Sequence, residues 1–131
     1  MFTRRTAIFS ALAIALLLAF STARALTVQP YSDAALAAAQ KAGSGVALHF
    51  HAPWCPTCRE QDKVLGTLKN DPALDKVTLL RVDYDSSMAL RKKMHVESQS
   101  TFVVYKGKKE VSRNTGEMDP AKIRATLMQG L

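Results

Sequence analysis

From residue 26 onward, short apolar runs alternate with stretches in which apolar side chains recur at helical spacing. A bounded apolar run fits a buried strand, and recurrence every three or four positions fits a helix with one inward face. The pattern predicts a strand over 26–31, then a helix capped by Ser32 that runs through Lys41 with Ala35, Leu36 and Ala39 on one side. Residues 42–45 (AGSG) end it, and 46–51 (VALHFH) predict a central strand. A second helix begins at Cys55 to Pro56 and reaches about Lys69, with Val64, Leu65 and Leu68 inward. Pro56 suits a first helical turn, where a missing N–H costs nothing. After the break at Asn70-Asp71-Pro72 come a strand over 77–84 (VTLLRVDY), a short helix over 86–94 and a strand over 101–105 (TFVVY). A turn at 106–109 leads into a strand over 110–113, and Asp119-Pro120 opens a last helix with Ile123, Leu127 and Met128 inward.

The resulting order, β-α-β-α-β-α-β-β-α, predicts an α/β fold: a central mixed β-sheet flanked by helices on both faces. The runs at 46–51 and 77–84, joined by a helix, form a right-handed crossover and lie parallel. The last two strands have a short connection and form an antiparallel hairpin.

Residues 1–25 follow a different pattern. A basic opening, MFTRR, precedes the uncharged apolar run 7–20 (AIFSALAIALLLAF), which ends near Ala23-Arg24-Ala25. That is the layout of a cleavable secretory signal, and it divides the chain into a signal over 1–25 and a domain over 26–131. The alternative is an uncleaved anchor, since the uncharged run from Thr6 to Ala23 approaches the lower length of a spanning helix. Thr3-Arg4-Arg5 also hints at a twin-arginine signal, and with no Cys near the cleavage point a lipid-anchored form is not expected.

The division changes the meaning of the charge. The whole chain carries 18 Lys and Arg against 11 Asp and Glu, a formal +7, which alone suggests a nucleic-acid footprint. Removing residues 1–25 takes away Arg4, Arg5 and Arg24 and leaves 106 residues with a charge of +4. Arg91-Lys92-Lys93 and Lys106, Lys108 and Lys109 then read as solvated faces, because no aromatic stacking array accompanies them; no nucleic-acid partner is expected. Two Cys, six Gly and five Pro exclude a disulfide-dense miniprotein, a collagen-like repeat and a low-complexity chain.

Both cysteines lie in Trp54-Cys55-Pro56-Thr57-Cys58, after a predicted buried strand and at the start of a helix. A helix N-terminus offers unpaired N–H groups and a positive dipole end, so Cys55 is expected to have a lowered pKa and to be the nucleophile. Cys58, one turn inward, is placed to resolve the disulfide that Cys55 forms. Three other readings compete. A structural disulfide enclosing two residues constrains little of the unfolded chain. Half of a zinc site lacks a second Cys pair, and His49, His51 and His95 show no regular ligand spacing with it. The third is a pair of inert buried thiols.

The segment 50–59 (FHAPWCPTCR) resembles the active-site stretch of the thioredoxin family, F-x-A-x-W-C-x-x-C-K/R. Val82-Asp83-Tyr84-Asp85 is similar to the family's V-D-x-D strand end, residues 101–107 (TFVVYKG) to its T-x-x-x-F-K-x-G hairpin, and Gly116 to the glycine before its last helix. The likeness spans residues 27–131. The Pro-Thr dipeptide also matches some bacterial periplasmic members, including reductants used in cytochrome c maturation, which generally carry a longer central insertion.

The resemblance implies a thioredoxin fold and a thiol-disulfide oxidoreductase with a redox-active Cys55–Cys58 pair, no cofactor and no metal; residues 1–25 make it an exported one. It implies a substrate surface of Trp54, Pro56, Thr57, Ser100 and Thr101 and a membrane electron-relay reductase as donor; with the export signal, disulfide-bearing exported proteins are the expected substrates, and the protein is expected to be a monomer in the periplasm or otherwise exported. Reduction is the expected direction, with oxidation or isomerisation as the alternative. A non-catalytic module, in which Cys55, Cys58 and Ser100 capture a metal or a client protein, is a different class of reading.

Three positions depart from the family pattern. Where the family has a cis-proline before the hairpin-strand Thr, this chain has Ser100, and a cis bond before a non-proline residue costs about 2.5–4 kcal/mol. Ser100 is either an ordinary strand-entry serine or a hydroxyl offered to sulfur or substrate. Where the family has a buried Asp and a Lys paired with it, this chain has His49 and Arg81. His49 is either a packed core histidine or a proton acceptor for Cys58, a role Arg81 cannot fill.

Overall fold

The computed structural model describes residues 25–131. The expected signal, apart from its final Ala25, lies outside the described residues. Among those described, no helix is long and apolar enough to cross a membrane.

The chain runs β1 (Thr27–Pro30), α1 (Asp33–Lys41), β2 (Gly45–His51), α2 (Pro56–Leu68), a 3₁₀ turn (Pro72–Leu74), β3 (Val77–Asp83), α3 (Met88–Met94), β4 (Thr101–Lys106), β5 (Lys109–Thr115) and α4 (Pro120–Met128). The sheet order is β1-β3-β2-β4-β5. β3 pairs in parallel with both β1 and β2, β4 is antiparallel to β2, and β5 is antiparallel to β4. The expected central crossover and edge hairpin are both present. The mixed five-stranded sheet with helices on both faces is a thioredoxin fold.

Alternation along β2 explains the two-sided core. Val46, Leu48 and Phe50 face one way and pack with Leu80, Val82 and Val103 against α1 and α3 through Ala39, Leu36 and Met94. Ala47 faces the other way and joins Leu79, Phe102 and Val104 under Val64, Leu65 and Leu68 of α2 and Ile123 and Leu127 of α4. Burying Ile123 and Leu127 fully contributes about 1.5–3 kcal/mol each, which holds α4 on the sheet. Met128 is only half-buried at the rim of that cluster.

Element ends differ from the sequence pattern for local reasons. α3 begins at Met88 because the Asp83 carboxylate accepts from the Asp85 N–H and the Ser86 hydroxyl, folding 83–86 into a turn. β5 runs on to Thr115, opposite Thr101, although KEVSRNT shows no apolar alternation; it is an edge strand, exposed along most of its length. The 3₁₀ turn at Pro72–Leu74, not anticipated, is capped by the Asp71 carboxylate on the Ala73 N–H and buries Leu74.

Candidate active site

Three elements converge at the C-terminal end of β2. That strand delivers His49 and His51 and leads through residues 52–54 into α2, whose N-terminus carries the cysteines. Cys55 is the N-cap of α2 in an extended conformation, with Pro56 in the first turn. Its sulfur accepts the Cys58 N–H at 3.2 Å, so the sulfur does what a serine or aspartate oxygen does at an ordinary helix start. The third contribution comes from the turn before β4. The Ser100 hydroxyl lies 3.1 Å from the Cys55 sulfur and 3.1 Å from the Cys58 sulfur.

Cys55 is 2% exposed and Cys58 fully buried. Burial pushes the Cys55 thiol up, but hydrogen bonds from the Cys58 thiol, the Ser100 hydroxyl and the Cys58 N–H outweigh it and bring Cys55 below the ordinary thiol range. Cys58 moves the other way: burial and the neighbouring Cys55 raise it, against a smaller opposing contribution from Ser100. The two sulfurs are thus shifted in opposite directions, Cys55 towards thiolate and Cys58 towards thiol.

No cis peptide bond occurs among the described residues. Ser100 instead reverses the chain with φ +60, in the left-handed region, where a non-glycine residue costs about 1–3 kcal/mol and needs surrounding support. The support is visible. The Ser100 N–H donates to the Phe50 carbonyl at 2.8 Å, and its own carbonyl accepts from the Gly116 N–H at 2.9 Å and from Gln61 Nε2 at 3.1 Å.

Gln61 also reaches His49. Its Nε2 donates to the Ser100 and Glu117 carbonyls, which can only accept, so its Oε1 must face His49 Nε2, 2.8 Å away. His49 therefore carries its proton on Nε2, and the buried Nδ1 is left as a lone pair with no protein partner among the described residues. The ring stacks on Phe102 at 4.4 Å. Burial lowers the His49 pKa to about 4, with Arg81 and His51 adding to the effect and Gln61 opposing it. No hydrogen bond joins His49 to Cys58; the two are connected through Gln61 and Ser100. Arg81, beside His49 in the β2–β3 register, pairs with Asp62, which also binds His51 Nε2 at 2.8 Å.

Of the other expected contact residues, Trp54 is 56% exposed and donates through its indole N–H to Asp85 at 2.8 Å, which fixes the ring beside the cysteines. Pro56 is exposed and Thr57 partly so. Thr101 is buried, its hydroxyl bonded to the Ser98 carbonyl and the Thr115 hydroxyl, so it ties the hairpin to the turn that carries Ser100. A surface groove of about 700 Å³ lies beside β1 among Val28, Pro30, His51, Pro53 and Arg81 and does not include the sulfurs. Among the described residues no group of three or more His, Cys, Asp and Glu side chains is arranged to hold a metal ion.

Sequence reasoning missed Gln61 and Asp85. The signal for Gln61 was present: it lies on the Cys58, Val64, Leu65, Leu68 stripe of α2 and is therefore a polar side chain aimed inward. Nothing local marks Asp85 as the partner of Trp54.

The thioredoxin family model matches residues 27–129. A thioredoxin from Chlamydia trachomatis is 38% identical over 74 residues, covering 56% of this chain and 71% of that one. A protein disulfide-isomerase from Neurospora crassa, erp38, is 35% identical over 72 residues, covering 53% of this chain and 20% of that one. The crystal structure of Trxlp from Edwardsiella tarda superposes with a TM-score of 0.73 at 36% identity, covering 77% of this chain and 98% of that one.

Proposed function

The chain belongs to the thioredoxin family, and from that premise we propose that it is an exported thiol-disulfide oxidoreductase that reduces protein disulfides. The observation that carries the reading is the asymmetry of the pair: Cys55, capping α2, is lowered towards thiolate while Cys58 behind it is held as thiol. Cys55 attacks a substrate disulfide and expels one substrate sulfur. Cys58 then attacks Cys55 in the mixed disulfide, releasing the second substrate sulfur and leaving Cys55 and Cys58 joined. Trp54, Pro56 and Thr57 form the rim over which the substrate chain lies, with Thr101 anchoring the Ser100 turn beneath it.

Export rests on the layout of residues 1–25 and makes disulfide-bearing exported proteins the substrates. A reductase there draws electrons from a membrane relay. The direction rests on one feature: the described residues pass from α2 to β3 through one 3₁₀ turn, with no inserted helical domain. The similarity to a segment of a protein disulfide-isomerase favours isomerisation as the second reading.

One titration separates them. Equilibrating the pair against glutathione and dithiothreitol buffers should give a potential near that of thioredoxin, about −270 mV, together with insulin reduction. A value near about −180 mV favours the isomerase reading, and one near about −120 mV would make the protein an oxidant and overturn reduction.

A further inference from the structure

Resting on the exchange reaction just described, one proton still lacks a carrier. Cys58 begins the resolving step as a buried thiol and must attack as a thiolate, with its sulfur 0% exposed to the water that would otherwise take the proton. Among the described residues the hydroxyl in reach is that of Ser100, 3.1 Å from each sulfur. A serine hydroxyl has one proton to give and lone pairs to accept with, so it can receive from the Cys58 S–H while donating on the Cys55 side.

We propose that Ser100 is a catalytic residue whose hydroxyl relays the Cys58 proton to the departing substrate sulfur. The Cys58 S–H bond breaks and its proton passes to the Ser100 oxygen. The electron pair left on Cys58 forms the bond to Cys55. The bond between Cys55 and the substrate sulfur breaks, and its pair leaves on the substrate sulfur, which takes the proton that Ser100 held at the start. The substrate sulfur is reduced to a thiol, the cysteine pair is oxidised to a disulfide, and the serine is regenerated with no net proton exchanged.

The hydroxyl is well placed for this because its backbone is held at both ends, by Phe50 on the N–H and by Gly116 and Gln61 on the carbonyl. Gln61 is a positioning residue here: it reaches neither sulfur but locks Ser100 to β2 through His49 and to the chain before α4 through the Glu117 carbonyl. The other titratable groups around the pair are engaged elsewhere. His49, from β2, has its Nε2 committed to Gln61. Tyr84, packed against Ala52 and the cysteines from the end of β3, donates to the Glu97 carbonyl. Asp85 at the rim accepts from Trp54. Ser100 thus holds the position for which the sequence pattern suggested His49.

The test uses Ser100→Gly and Ser100→Ala, with glutathione disulfide as the probe. Gly accepts φ +60 without strain and removes the hydroxyl; Ala removes the hydroxyl and keeps the Cβ. Reduced protein is mixed with glutathione disulfide, quenched with acid at intervals, and the glutathionylated form is followed by mass. Both variants should accumulate the mixed disulfide and resolve it about 100-fold more slowly at neutral pH. Their rates should then climb about tenfold per pH unit as hydroxide replaces the relay, while the wild-type rate changes little. Thermal melts establish that each variant is folded. Resolution at the wild-type rate and pH profile in either folded variant overturns the relay, since a loss confined to one of them would reflect backbone fit and not the hydroxyl. The reductase reading fails separately, if the wild type exchanges with glutathione disulfide in a Ser100-dependent way yet does not reduce insulin.

Discussion

His49 is neutral in the folded chain because its ring has no water to solvate a charge and sits on the face of Phe102. In the unfolded chain it titrates near the ordinary value of about 6.5. The folded pKa is lowered to about 4, so between these values the unfolded state binds a proton that the folded state refuses. Stability contributed by the neutral ring is therefore complete above the unfolded pKa and is lost as pH falls towards 4. Between about pH 7 and pH 5 the loss from this one group is roughly 2 kcal/mol. Urea unfolding at the two pH values should register it, and His49→Gln should flatten the slope; an unchanged slope would mean that His49 is charged or solvated in the fold. The residue was visible in VALHFH as a histidine on a buried strand. Its protonation state was not, because that depends on Gln61 and Phe102, which lie 12 and 53 positions away.

At the scale of elements, the contact between β2 and the end of α4 depends on two glycines. A Cβ on Gly45 would lie 2.9 Å from the Gly130 carbonyl carbon, and both partners are backbone, so neither can swing aside. Gly45→Ala should cost about 1–3 kcal/mol as a displaced α4 lifts Ile123 and Leu127 away from the sheet. A lowered urea midpoint at unchanged slope would register this, and a wild-type midpoint would show that the α4 terminus relocates freely. In the sequence, Gly45 looked like the end of a turn. The elements that were legible, β2, β3, β4, α2 and α4, bury a face and so carry an apolar period. β5 and the short α3 bury little, and their limits follow from the pairing of Thr115 with Thr101 and from the Asp83 turn.

At the scale of the whole molecule, export is the claim that stands on residues 1–25. It predicts that protein recovered from the periplasm of an expressing bacterium begins at Leu26, with a formal charge of +4, as N-terminal sequencing will read; recovery of a membrane-bound chain starting at Met1 would replace the signal by an anchor. Within the domain, the sequence by itself determined the class of the fold and the place of the CxxC pair, and it set the expectation that Cys55 attacks and Cys58 resolves. These are local matters: apolar period, a helix start, and two cysteines one turn apart. Only the tertiary structure decided what surrounds the pair. The Ser100 hydroxyl between the sulfurs, the Gln61 bridge to His49 and the Asp85 bond to Trp54 join residues 42, 45, 12 and 31 positions apart. Such contacts follow from how the strands are ordered and how the turns are aimed, and neither composition nor spacing encodes the distance between two atoms brought together by folding.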